Sequence, residues 1–585
     1  MKEKFLSFLK KRLEFPSFKE IKYVLKIFSL REKIIFAFFA IMFITSVFVI
    51  AWKTSNNVLI DVPAIGGTLT EGIVGTPRFI NPLLEVSDAD RDMVSLIYSG
   101  LLRPDNKKGL VPDLAEKYEI SEDGLSYTFI LKENLKWQDG EPITSDDVIF
   151  TIKQAKDNAL NSSKRASWEG VTAEKIDDRT IKFTLAKPYV PFLENTTIGI
   201  LPKHLWENAS SEQMVFSEFN ISPIGSGPYM ISKISRNSSG IVDSYTLEPF
   251  KNFALGKPYI KKLILKFYPS EKELVNAYKK EEVDNISAIS PQIAEDINKN
   301  ESILKTPILP RVFGLFFNQN EAKIFTQKEV REALDIATDK EQIVREVLKR
   351  YGSKLDYPIP PETFGELTES EKEISSFDLE KAKNILKNAE WNADKETGIL
   401  KKKISKKEEI ELKFSISTSN APELKQTAEL LKMMWEKLGA KIDLKIFEIG
   451  DLKQSVIRPR KYESLLFGEI LSREPDPFAF WHSSQRNDPG LNISMYTNIN
   501  VDKILEEART ILDKEKREKK YKEFQKLIHK DIPAIFLYSP KFVYIVPDFL
   551  KINDIENIIV PSERFSQIHT WYIKTKKTLK FFANR

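Results

Sequence analysis

Residues 135–148 read LKWQDGEPITSDDV, a strand end, a turn and a helix start in immediate succession. Just upstream, apolar and polar residues alternate over 127–131, which predicts a half-buried strand. Asp139-Gly140 is a turn dipeptide. Residues 144–147 (TSDD) offer capping side chains for a helix over 148–155. The stretch therefore predicts a compact unit in which strands and a helix share one core.

The same mixture of strands and helices extends along the rest of the chain. Residues 180–185 alternate as a second strand. Beyond residue 310 the helical patterns are longer, and 424–438 carries an apolar stripe of period 3.6 that ends at Gly439, a residue suited to a helix C-terminus. Residues 442–446 then alternate as a strand. Helices followed by strands predict the α/β class.

Length and composition indicate an ordered protein with several lobes. The chain has 585 residues, of which 42% are hydrophobic and 30% are charged, and this length predicts two or three lobes. It contains no cysteine. That excludes disulfides, thiolate metal sites, cysteine nucleophiles and lipid attachment through cysteine.

The positive charge is concentrated at the N-terminus. Residues 1–33 hold ten Lys or Arg and four Glu, a net charge of +6, whereas residues 34–585 carry a net charge of −1. A nearly neutral body gives no indication of a nucleic-acid surface. We interpret 1–33 as a basic cytoplasmic tail.

The segment that follows the tail is long and apolar. Residues 34–52 (IIFAFFAIMFITSVFVIAW) contain no charged side chain, and nineteen helical residues nearly match the hydrocarbon thickness of a bilayer. The excess of Lys and Arg before it predicts a cytoplasmic N-terminus and an extracytoplasmic body. We expect an uncleaved single-pass anchor at 34–52 and a short spacer at 53–61.

Motifs typical of enzymes are missing from the sequence. The four histidines are far apart, and H-E-x-x-H, G-x-S-x-G, P-loop and Rossmann fingerprints do not occur. Carboxylate pairs assembled by folding remain open at this point. We expect a binding protein that is not an enzyme, with no cofactor and no metal, and an anchored hydrolase is the remote alternative.

An ordered series of motifs resembles one family over residues 64–578. The motifs are, in order, Gly66–Leu69, Phe79–Pro82, Leu101–Leu131, Leu135–Val148, GSGPY at 225–229, Phe317-Asn318, Val330–Leu334, Phe377–Trp391, Asn492–Tyr496 and Val501-Asp502. In the order of these motifs the chain resembles extracellular solute-binding protein family 5, the oligopeptide, dipeptide and nickel-type binding components of ABC importers.

The resemblance implies a two-lobed class II periplasmic-binding-protein-like fold with an extra α+β domain. Mapped onto this chain, the family pattern places lobe I in three pieces, an inserted domain within lobe I, and lobe II between the second and third pieces. The corresponding ranges are 62–100, 222–310 and 535–578 for lobe I, 101–221 for the inserted domain, and 311–534 for lobe II.

The resemblance also implies a function. The lobes of such a protein close around a solute and present it to a permease, with an ATPase as the further partner. We expect peptides or similar polar oligomers as ligands. The alternatives are a non-peptide solute such as an oligosaccharide, and an anchored sensor or scaffold that kept the binding fold without transport.

One departure from the family pattern concerns the ligand's amino group. In the family's peptide binders an aspartate holds this group, and here its position falls on Leu471, Ser472 or Arg473, depending on where a gap is placed. None of these is acidic, although Glu474 and Asp476 are near. Arg473 instead suits a carboxylate or phosphate. The alternative for Arg473 is an ion pair with Glu474 or Glu469.

Further candidate contacts lie in the same stretch and in the segments that the family places at the cleft. Their alternatives are core packing, a loop that satisfies its own backbone or, for Arg78 and Asn81, a hinge contact. We favour a pocket role for Trp481 and core packing for Phe313. The complete set of predicted ligand contacts is Arg78, Asn81, Phe313, Asn318, Arg473, Trp481, His482, Ser483, Gln485 and Asn492.

Overall fold

A computed structural model describes residues 22–23, 26–105, 107–298, 303–361, 363–371, 376–406 and 408–579. Contacts divide the chain into two compact units, one of residues 1–64 with 574–585 and the other of residues 65–573. Residues 1–21 and 24–25 of the predicted basic tail lie outside the described residues.

The first unit contains a long helix that runs directly into a strand. The helix spans Leu30–Val58, and Leu59–Ala64 then pairs antiparallel with Lys574–Leu579. Among the described residues, this helix alone is long and apolar enough to cross a membrane, judged by length and composition. Helix and strand occupy residues 53–61, and their role as a spacer between anchor and body stays a prediction.

The first large sheet in the second unit surrounds one central strand. Thr68–Val74 pairs in parallel with Lys262–Tyr268 on one side and with Asn285–Ser287 on the other. We call this sheet and its helices the first lobe. Within the described residues the sheet order is Ile303–Lys305, Tyr544–Val546, Asn285–Ser287, Thr68–Val74, Lys262–Tyr268, Val242–Pro249 and Tyr229–Arg236.

A second large sheet forms what we call the second lobe. Its centre is Arg311–Phe317, which pairs antiparallel with Ser464–Ile470 and with Ala534–Pro540. Within the described residues the sheet order is Gly352–Lys354, Ala534–Pro540, Arg311–Phe317, Ser464–Ile470, Lys413–Ser419 and Lys441–Phe447. A small sheet of Asn392–Ala393, Leu400–Lys403 and Glu409–Glu411 also belongs to this lobe.

The chain passes between the two sheets through two short segments that touch each other. One segment is 306–310 and the other is 541–543, and the amide of Phe542 donates to the carbonyl of Pro307 at 2.9 Å. The return to the first lobe therefore follows Pro540. The predicted boundary at residue 535 is wrong, because the strand Ala534–Pro540 is hydrogen-bonded into the second sheet.

The inserted domain is built on an antiparallel sheet. Its order among the described residues is Ala115–Ile120, Ser126–Leu131, Thr180–Leu185 and Val171–Lys175, and a hairpin of Leu102–Asp105 and Gly109–Pro112 precedes it. The helix Ser145–Lys156 begins with a capping box, in which Thr144 and Asp147 satisfy each other's backbone amides. The opening stretch thus forms the predicted turn and helix start.

Helices cover the sheets of both lobes and of the inserted domain. The first lobe has Asp88–Ile97, Glu271–Lys279 and Pro291–Asn298, with 3-10 turns at Pro561–Phe565 and Ile568–Thr570. The inserted domain adds Arg165–Trp168, Phe192–Asn195, Lys203–Trp206, Ser211–Met214 and Glu218–Asn220. The second lobe has Lys323–Thr326, Lys328–Ile336, Lys340–Glu346, Leu379–Asn388, Pro422–Glu436, Ile449–Asp451, Leu452–Ile457, Phe478–Trp481, Ser483–Gln485, Ile499–Thr510 and Lys514–Asp531.

The GSGPY motif at 225–229 joins the inserted domain to the first lobe. A Cβ atom on Gly225 would lie 1.9 Å from the carbonyl oxygen of Ile97, and one on Gly227 would lie 2.6 Å from the carbonyl carbon of the same residue. Only glycine fits where backbone approaches backbone this closely. The motif therefore packs this segment against the end of the helix Asp88–Ile97.

Candidate ligand-binding site

A cavity of about 390 Å³ lies between the first lobe and the inserted domain. The helix Asp88–Ile97 and the turn Pro561–Phe565 line it from the first lobe, and residues 100–113, 164–168 and 194–199 line it from the inserted domain. Cavities of this size hold small polar ligands in many proteins. Among the described residues, its lining includes no side chain of the second lobe.

Two lining carboxyl groups have strongly perturbed pKa values. Burial raises the pKa of Asp113 to about 6, and the charge of Arg103 only partly offsets this effect. Burial also raises the pKa of Glu194 to about 7, against the amide of Glu474 and the charge of Arg473, which lower it. Desolvation combined with a specific charged neighbour in a cavity is typical of functional sites.

Several buried polar atoms in the cavity wall lack a hydrogen-bond partner among the described residues. They are the hydroxyls of Tyr98 and Ser566, Nε of Arg103 and Oδ1 of Asp113. Buried polar atoms are normally paired, so a cluster of unpaired ones indicates a place for water or a polar ligand. The set offers three donors and one carboxylate acceptor, which suits a ligand with both kinds of polar group.

A loop of the second lobe, residues 471–477, reaches the edge of this cavity. Nη2 of Arg473 lies 2.7 Å from Oε2 of Glu563, and each side chain is 15% exposed. The backbone amide of Glu474 donates to Oε1 of Glu194 at 2.9 Å. Because Glu194 and Glu563 both line the cavity, the loop joins all three parts of the unit at this point.

Further contacts hold the same loop against the inserted domain. The hydroxyl of Tyr189 donates to Oδ2 of Asp476 at 3.2 Å, and Nη2 of Arg509 lies 3.0 Å from the same oxygen. The Arg509 guanidinium also stacks over the ring of Tyr189, 5.0 Å from its centre. Arg509 and Arg517, which pair with Asp476 and Glu474, belong to the second lobe, so these two ion pairs hold the loop on its own lobe. The contacts of Tyr189 with Asp476 and Arg509 cross to the inserted domain, and water can replace them if the lobes separate.

The partner of Arg473 differs from both partners considered from sequence. Its guanidinium pairs with Glu563 of the first lobe, and not with Glu474 or Glu469. Both carboxylate oxygens of Glu469 are buried without a partner among the described residues, and burial raises the pKa of Glu469 well above its ordinary value. Arg473 therefore contacts the opposite lobe, and its contact with a ligand stays a prediction.

Trp481, favoured as a pocket residue, lies in the core of the second lobe. Its side chain is 1% exposed, and its ring lies 5.8 Å from that of Phe536 and 6.2 Å from that of Phe316. The helix Phe478–Trp481 starts at Pro477 and turns the indole inward. The pocket interpretation of Trp481 is corrected to core packing.

The polar residues after Trp481 bond mainly to one another and to Asp502 of the helix Ile499–Thr510. Ser483 donates through its hydroxyl to Asp502, and Nδ1 of His482 lies 2.7 Å from the hydroxyl of Ser484. Nε2 of Gln485 donates to that same hydroxyl. The amide of Asn492, fully buried, donates to the carbonyl of His482. The structure therefore favours the structural alternative for His482, Ser483, Gln485 and Asn492.

The predicted contacts near the start of the body are also dispersed. Asn81 is fully buried, and its amide donates to Oδ1 of Asn220 in the inserted domain at 3.1 Å. Arg78 is exposed, and its guanidinium lies over the ring of Phe79. Neither side chain lines the cavity. Asn81 instead ties the first lobe to the inserted domain.

The two predicted contacts at the start of the second lobe lie on its central strand and at that strand's end. Phe313 is half-buried and stacks on Tyr538, with ring centres 5.1 Å apart, which agrees with the packing favoured from sequence. Asn318 is 1% exposed and donates to the carbonyl of Arg460 at 3.0 Å. Ligand contacts by these residues stay predictions.

Sequence reasoning missed the residues that form the cavity. Asp113, Glu194 and Glu563 come from distant segments, and no local motif marks any of them as a site. The only sequence signal is Asp113, within the family-like stretch 101–131. Among the described residues, no group of His, Cys, Asp and Glu side chains is arranged to hold a metal ion.

Residues 109–490 show which protein family this chain belongs to. This range matches the bacterial extracellular solute-binding proteins, family 5 (middle region). The chain belongs to this family. Family 5 comprises solute-binding proteins of ABC importers. The matched range covers most of the inserted domain, the second of the three pieces of the first lobe and most of the second lobe.

Family 5 relatives align along nearly the whole body. The oligopeptide-binding protein AppA of Bacillus subtilis is 28% identical over 497 residues, which cover 84% of this chain and 89% of the relative. The dipeptide-binding protein of Escherichia coli is 26% identical over 493 residues, which cover 79% of this chain and 87% of the relative.

Solved structures of family 5 members share the fold. The structure of AppA from Bacillus subtilis in complex with a nonapeptide superposes with a TM-score of 0.68 at 26% identity, covering 88% of this chain and all of that one. The predicted two-lobed class II binding-protein fold is therefore confirmed.

Proposed function

We propose that this protein is a membrane-anchored, extracytoplasmic receptor that captures peptides or similar polar oligomers and delivers them to an ABC permease. The observation that carries this proposal is the loop 471–477. It extends from the second lobe to Glu194 and Glu563, two carboxylates of the cavity wall in the other parts of the unit. A ligand in the cavity would favour the closed state, because closure buries it beneath these contacts.

The relatives support a peptide ligand. AppA is named for oligopeptide binding and was solved with a nonapeptide, and the Escherichia coli relative is named for dipeptides. The unpaired donors and the carboxylate in the cavity wall also suit peptide groups, which carry N–H donors and C=O acceptors at regular spacing.

The helix Leu30–Val58 supports the anchoring part of the proposal. It provides the apolar length that a membrane span requires, and the Lys and Arg residues before it favour a cytoplasmic N-terminus. An uncleaved helix would keep the receptor next to its permease without a lipidated cysteine.

Native mass spectrometry of the full chain, purified in detergent micelles, tests the ligand. We expect a population carrying one bound molecule of peptide mass, which acid releases and fragmentation identifies as peptide. A bound sugar or another non-peptide solute would overturn the peptide assignment. Co-purification of a permease and an ATPase with the tagged chain from membranes tests delivery, and their absence after mild cross-linking would contradict it.

A further inference from the structure

The two-stranded ladder of the first unit follows the apolar helix without a connecting loop. The helix ends at Val58 and the strand begins at Leu59. In the antiparallel register Leu59 lies opposite Leu579. The strand Lys574–Leu579 therefore leads back to the end of the helix, and both strands meet there.

The second strand of the ladder is strongly basic. Lys574, Lys576 and Lys577 are exposed, and within the described residues none of them forms an ion pair. Asp61 is the one acidic side chain among the twelve ladder residues, and it lies opposite Lys577. The ladder therefore carries a net charge of about +2 at neutral pH.

The two faces of the ladder differ in charge. Successive strand residues point to opposite faces, and directly paired residues share a face. One face thus combines Lys574 and Lys576 with their partners Ala64 and Val62, together with Ile60. The other face carries Lys577 opposite Asp61, so its charges nearly cancel. The first face is both basic and apolar, a combination typical of membrane interfaces.

The length of the helix brings this ladder close to the lipid surface if the helix spans the bilayer. The uncharged stretch ends at Trp52, and residues 53–58 extend the helix by about 9 Å. The headgroup layer on one side is about 5–7 Å thick. The helix-proximal end of the ladder, Leu59 and Leu579, therefore lies near the outer limit of the headgroups, within a screening length of about 8 Å. Lys576 and Lys574 lie about 10 and 17 Å farther along the strand, so they reach the headgroups when the strands run along the surface.

We propose that the ladder lies along the membrane surface, where the face formed by Ile60, Val62, Lys574 and Lys576 binds the headgroups of anionic phospholipids. This inference rests on the proposed membrane anchor. Each basic side chain near an anionic surface contributes attraction, and the neighbouring apolar side chains enter the interface. An isolated two-stranded ladder is only marginally stable in water, so the lipid surface would also stabilise it.

The absence of cysteine makes a clean test possible. The full chain with Thr578→Cys carries a single fluorophore on the same ladder face, and it is placed in nanodiscs whose lipids carry headgroup quenchers. We expect at least two-fold stronger quenching in discs with 30% phosphatidylglycerol than in pure phosphatidylcholine. Lys574→Gln with Lys576→Gln, or high salt, should lower quenching to the phosphatidylcholine level.

The opposite face supplies the matched control. Lys577→Gln removes the same charge as Lys576→Gln, one residue away, and should leave most of the quenching unchanged. Lys574→Arg with Lys576→Arg should retain it, which separates charge from damage to the strand. Equal effects of Lys576→Gln and Lys577→Gln, or equal quenching in both lipids, would overturn the proposal.

The outcomes also separate this inference from the anchor itself. If the chain leaves the nanodiscs on size exclusion, the anchor and the headgroup contact both fail. If the chain stays in the discs but quenching ignores lipid charge, the anchor stands and only the headgroup contact is overturned. If the fluorophore is shielded from the quenchers equally in both lipids, and only when a permease is added, the ladder face contacts the permease and the headgroup proposal is overturned.

Discussion

Two neighbouring residues, Glu563 and Arg564, take part in very different ion pairs. Arg564 is fully buried and contacts Asp92 at 2.6 Å and Glu71 at 2.7 Å, both within the first lobe. Glu563 contacts Arg473 of the second lobe, and each side chain of that pair is 15% exposed. One cluster holds a lobe together, and the other connects two lobes.

The difference lies in how completely each cluster is enclosed. Burial lowers the pKa of Arg564, but the charges of Asp92 and Glu71 outweigh it and raise the pKa above its usual value. Separating this cluster would leave buried charges unpaired. Within the described residues Arg473 keeps an unpaired Nε, and both side chains of its pair with Glu563 stay 15% exposed, so water can reach the pair. The turn Pro561–Phe565 thus combines a fixed attachment with a reversible contact.

The largest effect is expected from breaking the buried cluster. Arg564→Met should lower the free energy of unfolding by about 3–5 kcal/mol, because Glu71 and Asp92 lose their common cation inside the lobe. Urea denaturation of the full chain measures this change. Lys175→Met, which likewise removes one cation from two carboxylates, Asp146 and Asp178, but at the protein surface, is the control and should change it by less than about 1 kcal/mol. Equal losses of unfolding free energy in the two variants would contradict a special contribution of the buried cluster.

The contact between lobes should affect closure more than folding. Arg473→Ala should change the free energy of unfolding by less than about 1 kcal/mol and lower ligand affinity about tenfold, because closure loses its charged contact. Spin labels at Lys251→Cys and Lys425→Cys, one on each lobe, report the distance between lobes. We expect a longer distance in Arg473→Ala without ligand.

Arg458→Ala is the control for the cleft contact. Arg458 pairs with Asp488 inside the second lobe, 3.6 Å away and largely exposed. This substitution should leave the label distance and the affinity unchanged. An unchanged distance in Arg473→Ala as well would assign the Arg473–Glu563 pair to the surface and remove it from the closing mechanism.

The pH dependence of stability should reflect the cavity carboxyl groups. The folded pKa of Glu194 is about 7, above its ordinary value in the unfolded chain, so the folded state holds a proton between those values. Its contribution to stability is therefore lost as pH rises toward 7. Glu194→Gln should be more stable, relative to the natural chain, at pH 8 than at pH 5, by about 1 kcal/mol.

Asp113→Asn extends this test. The pKa of Asp113 is about 6, so Asp113→Asn should also gain stability over the natural chain as pH rises. This gain should be complete at a lower pH than the gain of Glu194→Gln. Denaturation midpoints at pH 5, 6, 7 and 8 measure both variants. If either variant gains more stability over the natural chain at pH 5 than at pH 8, the raised pKa values of Glu194 and Asp113 are contradicted.

The smallest effect on stability is expected at Tyr98. Its buried hydroxyl has no partner among the described residues, so Tyr98→Phe should leave the free energy of unfolding unchanged or slightly higher. Tyr462→Phe is the matched control, because its hydroxyl donates to the carbonyl of Ile493 at 2.6 Å and its loss should cost about 1 kcal/mol. A lower ligand affinity in Tyr98→Phe alone would show that the ligand uses this hydroxyl.

Periodicity and capping signals predicted the local structure well. The strand over 127–131 is observed as Ser126–Leu131, and the strand at 180–185 is observed with the same ends. Their alternation is strong because one face of the sheet is buried. The predicted boundary at residue 535 was wrong because the sequence of a buried strand does not show which of two sheets it joins. Only its hydrogen bonds assign the strand Ala534–Pro540 to the second sheet.

The site was harder to predict than the fold. Trp481 and the polar residues after it suggested a pocket, but such side chains pack a core or satisfy a loop equally well. The partner of Arg473 lies 90 residues away in another lobe, and no spacing rule connects the two. Sequence marks residues that can bind a ligand, whereas the cavity depends on how distant segments meet.

Filling the cavity tests most directly whether a peptide binds there. Ser95 lines it from the helix Asp88–Ile97 and is half-buried, so Ser95→Trp places a large side chain in the ligand space while leaving Arg473 and Glu563 in place. Native mass spectrometry of the full chain then compares ligand occupancy in the two proteins. We expect a bound peptide in the natural chain and its loss in Ser95→Trp. Equal occupancy in both would show that the ligand binds elsewhere.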